Sequence, residues 1–194
     1  MISLFAAFLL MVVFFALVGA MRGWSKEVIA MAGLILSLFT INTFGSILVR
    51  ILGGMGGDAP QADIMIQMQR QFWVLGGIHL LIAFFSYQSV ALVRNRLAPR
   101  EKIQERLLGF IFGAVNGYLI FGTLWSLLEY RLTTEGWIRL PENFPYAFSP
   151  TIIRPIIESP AQDLLITHLP IPWLIPWLPL LIVLVFLFVI IVII

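Results

Sequence analysis

The chain has no cysteine among its 194 residues. That excludes disulfides, thiolate metal sites and a cysteine nucleophile, and it leaves the redox compartment unread. Charge is scarce as well. Asp, Glu, Lys and Arg make up 11% of the residues, against about 25% in a soluble domain. The formal net charge of +2 is too small for a nucleic-acid surface, and the basic residues gather at the ends of apolar runs. There are two histidines, His79 and His168, which make no metal cluster. A Gly-x-Ser-x-Gly elbow is missing, and so is any nucleotide fingerprint. These absences predict a protein that is not an enzyme, with no cofactor, no metal and no nucleic-acid partner.

What abounds is apolar: 60% of the residues. They fall in five runs, Ile2–Met21, Val28–Val49, Phe72–Val93, Leu107–Leu128, and a tail from Ile171 to Ile194. A helix crossing the hydrocarbon takes about 20 apolar residues. Only helices and closed barrels satisfy their backbone groups in lipid. Barrel strands alternate in and out, and these runs do not, so helices are expected. The predicted fold class is all-α: a polytopic membrane bundle of four core transmembrane helices with a fifth at the C-terminus. Three parts are expected: a membrane domain over residues 1–128, an extracytoplasmic interfacial segment over 129–170, and the hydrophobic tail over 171–194. The first run has no Lys or Arg before it and exceeds a signal-peptide core, so it is expected to stay as a membrane helix.

Basic residues mark the cytoplasmic side. Arg22 and Lys26 follow run 1, and Arg94, Arg96, Arg100, Lys102 and Arg106 lie between runs 3 and 4. The expected topology therefore puts the N-terminus outside, with both short loops inside. Between runs 2 and 3, Gly53, Gly54, Gly56, Gly57 and Pro60 follow no strand and read as a flexible turn rather than a phosphate loop. The stretch Glu129–Pro170 sets Trp137, Phe144, Tyr146 and Phe148 among prolines, a pattern of the membrane interface. Two short interfacial helices are expected in it, Thr151–Ile157 and Pro160–His168, with Pro160 in a first turn.

Three features invite a functional reading. In Arg22-Gly23-Trp24-Ser25-Lys26-Glu27 the plain reading is a hairpin, with Gly23 turning, Ser25 as N-cap and Glu27 favoured by the helix dipole. The sharper reading is a fixed Arg22–Glu27 ion pair or an anionic headgroup site. After Arg106, the residues Gly109, Gly113 and Gly117 share one helix face, which lets backbones approach closely in lipid. Their partner is either another helix of the chain, for which run 1 offers Ala16, Gly19, Ala20 and Gly23 and run 2 offers Ala30, Gly33 and Ser37, or a second copy. His79 and Asn116 are the strongly polar groups inside the runs. Each reads either as a packing residue bonded across helices or as part of a polar path.

Arg22-Gly23-xxx-Glu27 after the first run and Arg106-x-Leu108-Gly109-xxx-Gly113-xxx-Gly117 opening the fourth resemble the colicin V production (CvpA) family of bacterial inner-membrane proteins. The four-run layout over residues 2–128 is similar too, while the tail from Ile171 has no counterpart in the family core. The resemblance implies a non-enzymatic accessory or scaffold role in colicin V production or export, or in envelope homeostasis. A small oligomeric channel or transporter is the alternative. The expected partners are the lipid bilayer and either a second copy or another membrane protein.

Overall fold

The computed structural model describes residues 3–53, 61–89, 102–157 and 159–193. Gly54, Gly56, Gly57, Asp58, Pro60, Arg94, Arg96 and Arg100 fall outside the described residues. The chain forms α1 (Leu4–Arg22), α2 (Trp24–Gly53), α3 (Gln61–Ser89), α4 (Lys102–Glu129), a hairpin of β1 (Tyr130–Thr133) and β2 (Gly136–Arg139), α5 (Pro160–Thr167), α6 (Pro170–Leu174), one 3-10 turn (Ile175–Trp177) and α7 (Leu178–Ile193). The fold is an all-α polytopic bundle, with a small hairpin at one end.

Local chemistry accounts for most of the boundaries. Ser3 caps α1, its Oγ accepting from the Ala6 amide at 3.2 Å. Gly23 ends the helix with φ +89°, a region closed to most L-residues, and its amide donates to Gly19 O at 2.9 Å. α2 starts at the next residue. The expected N-cap role of Ser25 is thus corrected: one glycine makes the whole reversal, and Ser25 already lies inside α2. Ser159 caps α5 with Pro160 in its first turn, as the composition suggests.

Between Pro150 and Pro155 no helix forms; the expected one over Thr151–Ile157 is a turn followed by an irregular strap. Arg154 precedes Pro155, which biases it away from helical angles, and Pro155 brings no amide to a helix ladder. The hairpin was not anticipated. Tyr130 pairs with Arg139 and Leu132 with Trp137 across a two-residue connection ending at Gly136, φ +122°. Gln71 of α3 holds it to the bundle. Its side-chain amide donates to Tyr130 O and accepts from the Leu132 amide, both at 2.9 Å, much as a neighbouring strand would.

Among the described residues, four helical segments are long and apolar enough to cross a membrane: Leu4–Arg22, Trp24–Leu52, Ile103–Glu129 and Pro170–Phe188. α3 is 29 residues long but more polar in its first half, where Gln67, Gln69, Arg70 and Gln71 lie. α1 packs antiparallel on α4, α2 lies against both α3 and α4, and the tail folds back onto α4 through α6 and onto α2 through α7. Leu34, Leu38 and Ile41 of α2, Leu75 of α3 and Leu127 of α4 form the core, together with Ile171 and Leu178 of the tail. Large apolar side chains point outward, among them Leu10, Phe14, Phe84 and Phe85. A surface of that kind suits hydrocarbon rather than water.

Candidate functional site

The polar interior gathers into two clusters, one near each end of the bundle. The first is built on Glu27, in the first turn of α2 and with no solvent exposure. Arg22 Nη1 donates to its Oε1 at 2.8 Å. Tyr87 OH of α3 donates to Oε2 at 3.1 Å, and Asn116 Nδ2 of α4 donates to the same oxygen at 2.7 Å and to Glu27 O at 2.9 Å. Arg22 also donates to Tyr87 O at 3.2 Å and stacks 4.3 Å from the centre of the Tyr87 ring. One carboxylate therefore ties together the ends of α1, α2 and α3 and the middle of α4.

The glycine face adjoins this cluster. A Cβ on Gly113 would lie 2.9 Å from Gly19 Cα, and one on Gly117 would lie 2.8 Å from Phe15 Cβ, while Gly109 abuts the carbonyl of Gly19. In this structure the glycines of α4 face α1 of the same chain. Arg22 and Gly23 line a cavity of about 160 Å³ together with Glu105 and Arg106, so the two sequence motifs meet in space.

The second cluster is built on Glu129, at the last turn of α4 and likewise without exposure. Arg139 Nε donates to its Oε1 at 2.9 Å, and Arg154 donates to both of its oxygens through Nε and Nη2. Tyr146 OH donates to Oε2 at 2.8 Å and accepts from Trp125 Nε1 at 2.9 Å. Arg154 Nη1 also donates to Pro141 O, to Glu142 O at 3.2 Å and to Phe144 O at 3.0 Å, so one guanidinium gathers the loop after β2. Burial pushes the phenols of Tyr146 and Tyr130 above their ordinary range, and the nearby Glu129 charge pushes the same way.

His79 sits apart from both clusters, fully buried, with Nδ1 2.8 Å from Ser37 Oγ. Among the described residues its Nε2 and Asn116 Oδ1 meet no partner within hydrogen-bond geometry, although the backbone of Leu119 and Ile120 lies against the His79 ring. Glu27 and Glu129 do stand at helix ends, yet both are fully buried, so charge enters the interior there. A one-dimensional reading places an acid near a helix terminus but not the side chains that close over it. Tyr87, Tyr146, Arg139 and Arg154 were missed as partners for that reason. Their spacings from the acids, 60 residues for Tyr87 and 25 for Arg154, carry no local signal.

Fold and surface together define a multi-pass α-helical membrane protein with two internally neutralised polar clusters. A family profile described as "Colicin V production protein" matches residues 6–141, more than half of the chain, and the chain belongs to that family. Comparison with curated proteins and with solved structures found no match. Glu129 and Arg139 lie inside the matched span, whereas Tyr146, Arg154 and all of α5–α7 lie beyond it.

Proposed function

We propose that this protein is a non-enzymatic scaffold of the inner membrane. It would support toxin production or export, or envelope homeostasis, by holding a partner membrane protein or a second copy of itself. One observation carries the reading: the buried ionised groups are held by partners within the chain. Glu27 and Glu129 each accept several bonds, which leaves neither free to act on a substrate. The interior hydroxyls of Ser86, Thr123 and Ser126 donate to carbonyls of their own helices, at 2.7, 2.5 and 2.8 Å, so their protons are used within the chain. The proposed orientation puts the N-terminus and the hairpin outside. In its favour, Arg22 and Arg106 share one end of the bundle, as the positive-inside rule asks of cytoplasmic loops.

Gentle extraction of the tagged protein followed by native mass measurement tests the reading. A stoichiometric foreign membrane protein supports it and names the pathway. Activity on a lipid or peptide, lost with a point substitution at a buried acid, ends it. A reporter active only in the periplasm, fused after Ile194, is expected to stay silent; a signal overturns the inside placement of the tail's end. A second reading, an oligomeric proton or solute path, draws on the unpartnered His79 Nε2 and Asn116 Oδ1. Liposome flux that disappears in His79→Leu would replace the scaffold reading with this one.

A further inference from the structure

The turn between α5 and α6 lies at a depth where membrane proteins seldom expose polar side chains. α1 supplies the ruler. Its 19 residues make about 29 Å, which matches a hydrocarbon core of about 30 Å. Its free face carries Leu9, Leu10, Val13, Phe14 and Leu17, so it fills the hydrocarbon from Leu4 to Arg22. Levels on α4 follow from its contacts with α1. A Cβ on Gly117 would lie 3.1 Å from Val12 Cα, and Val12 is about 12 Å along α1 from Leu4. Tyr118 is then about 10 Å and Gly122 about 5 Å inside the hydrocarbon at the hairpin end, and Glu129 about 6 Å outside it.

Three α4 residues pin the turn at those levels. Tyr118 OH donates to His168 O at 2.5 Å, a Cβ on Gly122 would lie 2.7 Å from Pro170 Cδ, and Ser126 Oγ accepts from the Ile171 amide at 3.4 Å. α5 enters the leaflet end-on rather than lying flat on it. Asp163 shares Arg139 with Glu129 above the hydrocarbon, while His168 reaches Tyr118 below its surface. Carbonyls at the sunken end are capped, as lipid demands. Ile166 O accepts from Tyr130 OH at 3.4 Å, and Leu164 O accepts from His168 Nδ1 at 2.8 Å. Yet Thr167 and His168 are exposed. Non-helical backbone at membrane depth persists where protein buries it or where water reaches it, and these two residues are not buried.

We propose that the α5–α6 turn is a re-entrant wedge against which the leaflet at the hairpin end thins, so that phospholipid headgroups and their water descend to His168. The occupant follows from the chemistry of the turn. His168 Nδ1 is taken by Leu164 O, which leaves Nε2 of the neutral ring an acceptor. Hydrocarbon offers it no donor, whereas water and headgroups do. Trp173 marks the same level. Its ring lies 6.0 Å from that of His168 and 6.2 Å from that of Tyr118, half exposed, and tryptophan is the side chain of the membrane–water boundary. The thinning is one-sided, because α1 exposes Leu9 and Leu10 at this depth and needs full hydrocarbon there. The wedge does not depend on which role the family serves, so it can fail while the scaffold reading stands.

Because the chain has no cysteine, single cysteines report depth cleanly. Full-length Thr167→Cys, Leu10→Cys and Glu135→Cys are reconstituted in vesicles of phosphatidylethanolamine and phosphatidylglycerol and treated with a sulfonated, membrane-impermeant maleimide. Glu135, exposed in the hairpin connection, is the surface reference, and Leu10 is the lipid reference at the depth of the turn. Thr167→Cys is expected to react within about tenfold of Glu135→Cys, and Leu10→Cys about a hundredfold more slowly, because an ionised reagent does not enter hydrocarbon. A fluorophore attached to Thr167→Cys should be quenched more strongly by a spin label on the lipid headgroup than by one at mid-chain, and on Leu10→Cys the order should reverse. His168→Cys takes the place of Thr167→Cys if the latter melts below the wild type. Thr167→Cys as slow as Leu10→Cys overturns the proposal. Leu10→Cys as fast as Thr167→Cys does so too, since α1 would no longer mark the hydrocarbon. It is overturned equally if the mid-chain label quenches the turn more strongly, or if neither label does, as a second copy or a partner segment lying over the turn would cause.

Discussion

Replacing Glu27 with Gln keeps the size of the side chain and removes its charge. The carboxylate accepts from Arg22, Tyr87 and Asn116 with no solvent access of its own. Gln offers one oxygen and turns an amide N–H₂ towards a remaining donor. Either rotamer therefore leaves at least one buried donor unpaired and one donor facing another. Breaking a buried ion pair costs about 3–5 kcal/mol. Arg22 keeps 22% exposure and recovers some hydration, so the lower end applies, about 3 kcal/mol. At about 2–4 °C per kcal/mol for a chain of this size, the melting midpoint should fall by about 6–12 °C. The six tryptophans report unfolding by fluorescence in mixed micelles as SDS is titrated in. The cycle with Arg22→Met should show a coupling of about 2 kcal/mol. A loss under about 1 kcal/mol, or additive single effects, would refute the claim that this carboxylate locks the inner end of the bundle.

Gly113→Leu must push α1 away from α4. It should cost about 3 kcal/mol or prevent assembly, read as a lower unfolding midpoint and faster proteolysis. Arg154→Lys puts a point charge where a fork holds a carboxylate and several carbonyls. It should cost about 2–3 kcal/mol and expose residues 140–157 to protease, while Arg154→Met should be worse. Tyr146 and Tyr130 titrate above their unfolded value near 10, so the stability tied to their protonated forms is complete below about pH 10. It declines as pH rises from there through the folded values, because only the unfolded chain releases those protons easily. The midpoint should therefore fall above pH 10, and Tyr146→Phe should flatten that fall at a cost of about 1 kcal/mol at neutral pH.

Composition and run length alone determined that this protein lives in a bilayer as helices. A 20-residue apolar segment has no other way to satisfy its backbone in lipid, whatever its neighbours are. Ser159-Pro160 and Gly23 are likewise local. A cap and a positive-φ turn depend on their own residues, so the start of α5 and the end of α1 can be read directly. The glycines at 109, 113 and 117 announced a close-packed face because they recur on a single helical face, but not which helix would meet it.

Only the tertiary structure decided the rest. The β-hairpin depends on Gln71, about 60 residues upstream, supplying strand-like hydrogen bonds to its edge. The strap stays irregular because two prolines oppose a helix and Arg154 finds its partners elsewhere. Most of all, the sequence offered Glu27 a local pairing with Arg22, which the structure contains, and placed Glu129 at the edge of the interfacial segment, but it announced the burial of neither. Burying a charge is tolerable only where several donors converge on it, and that convergence involves Tyr87, Asn116, Tyr146 and Arg154 from distant parts of the chain. Such long-range pairing leaves no trace in local spacing, which is why the helices were legible one by one and the clusters that join them were not.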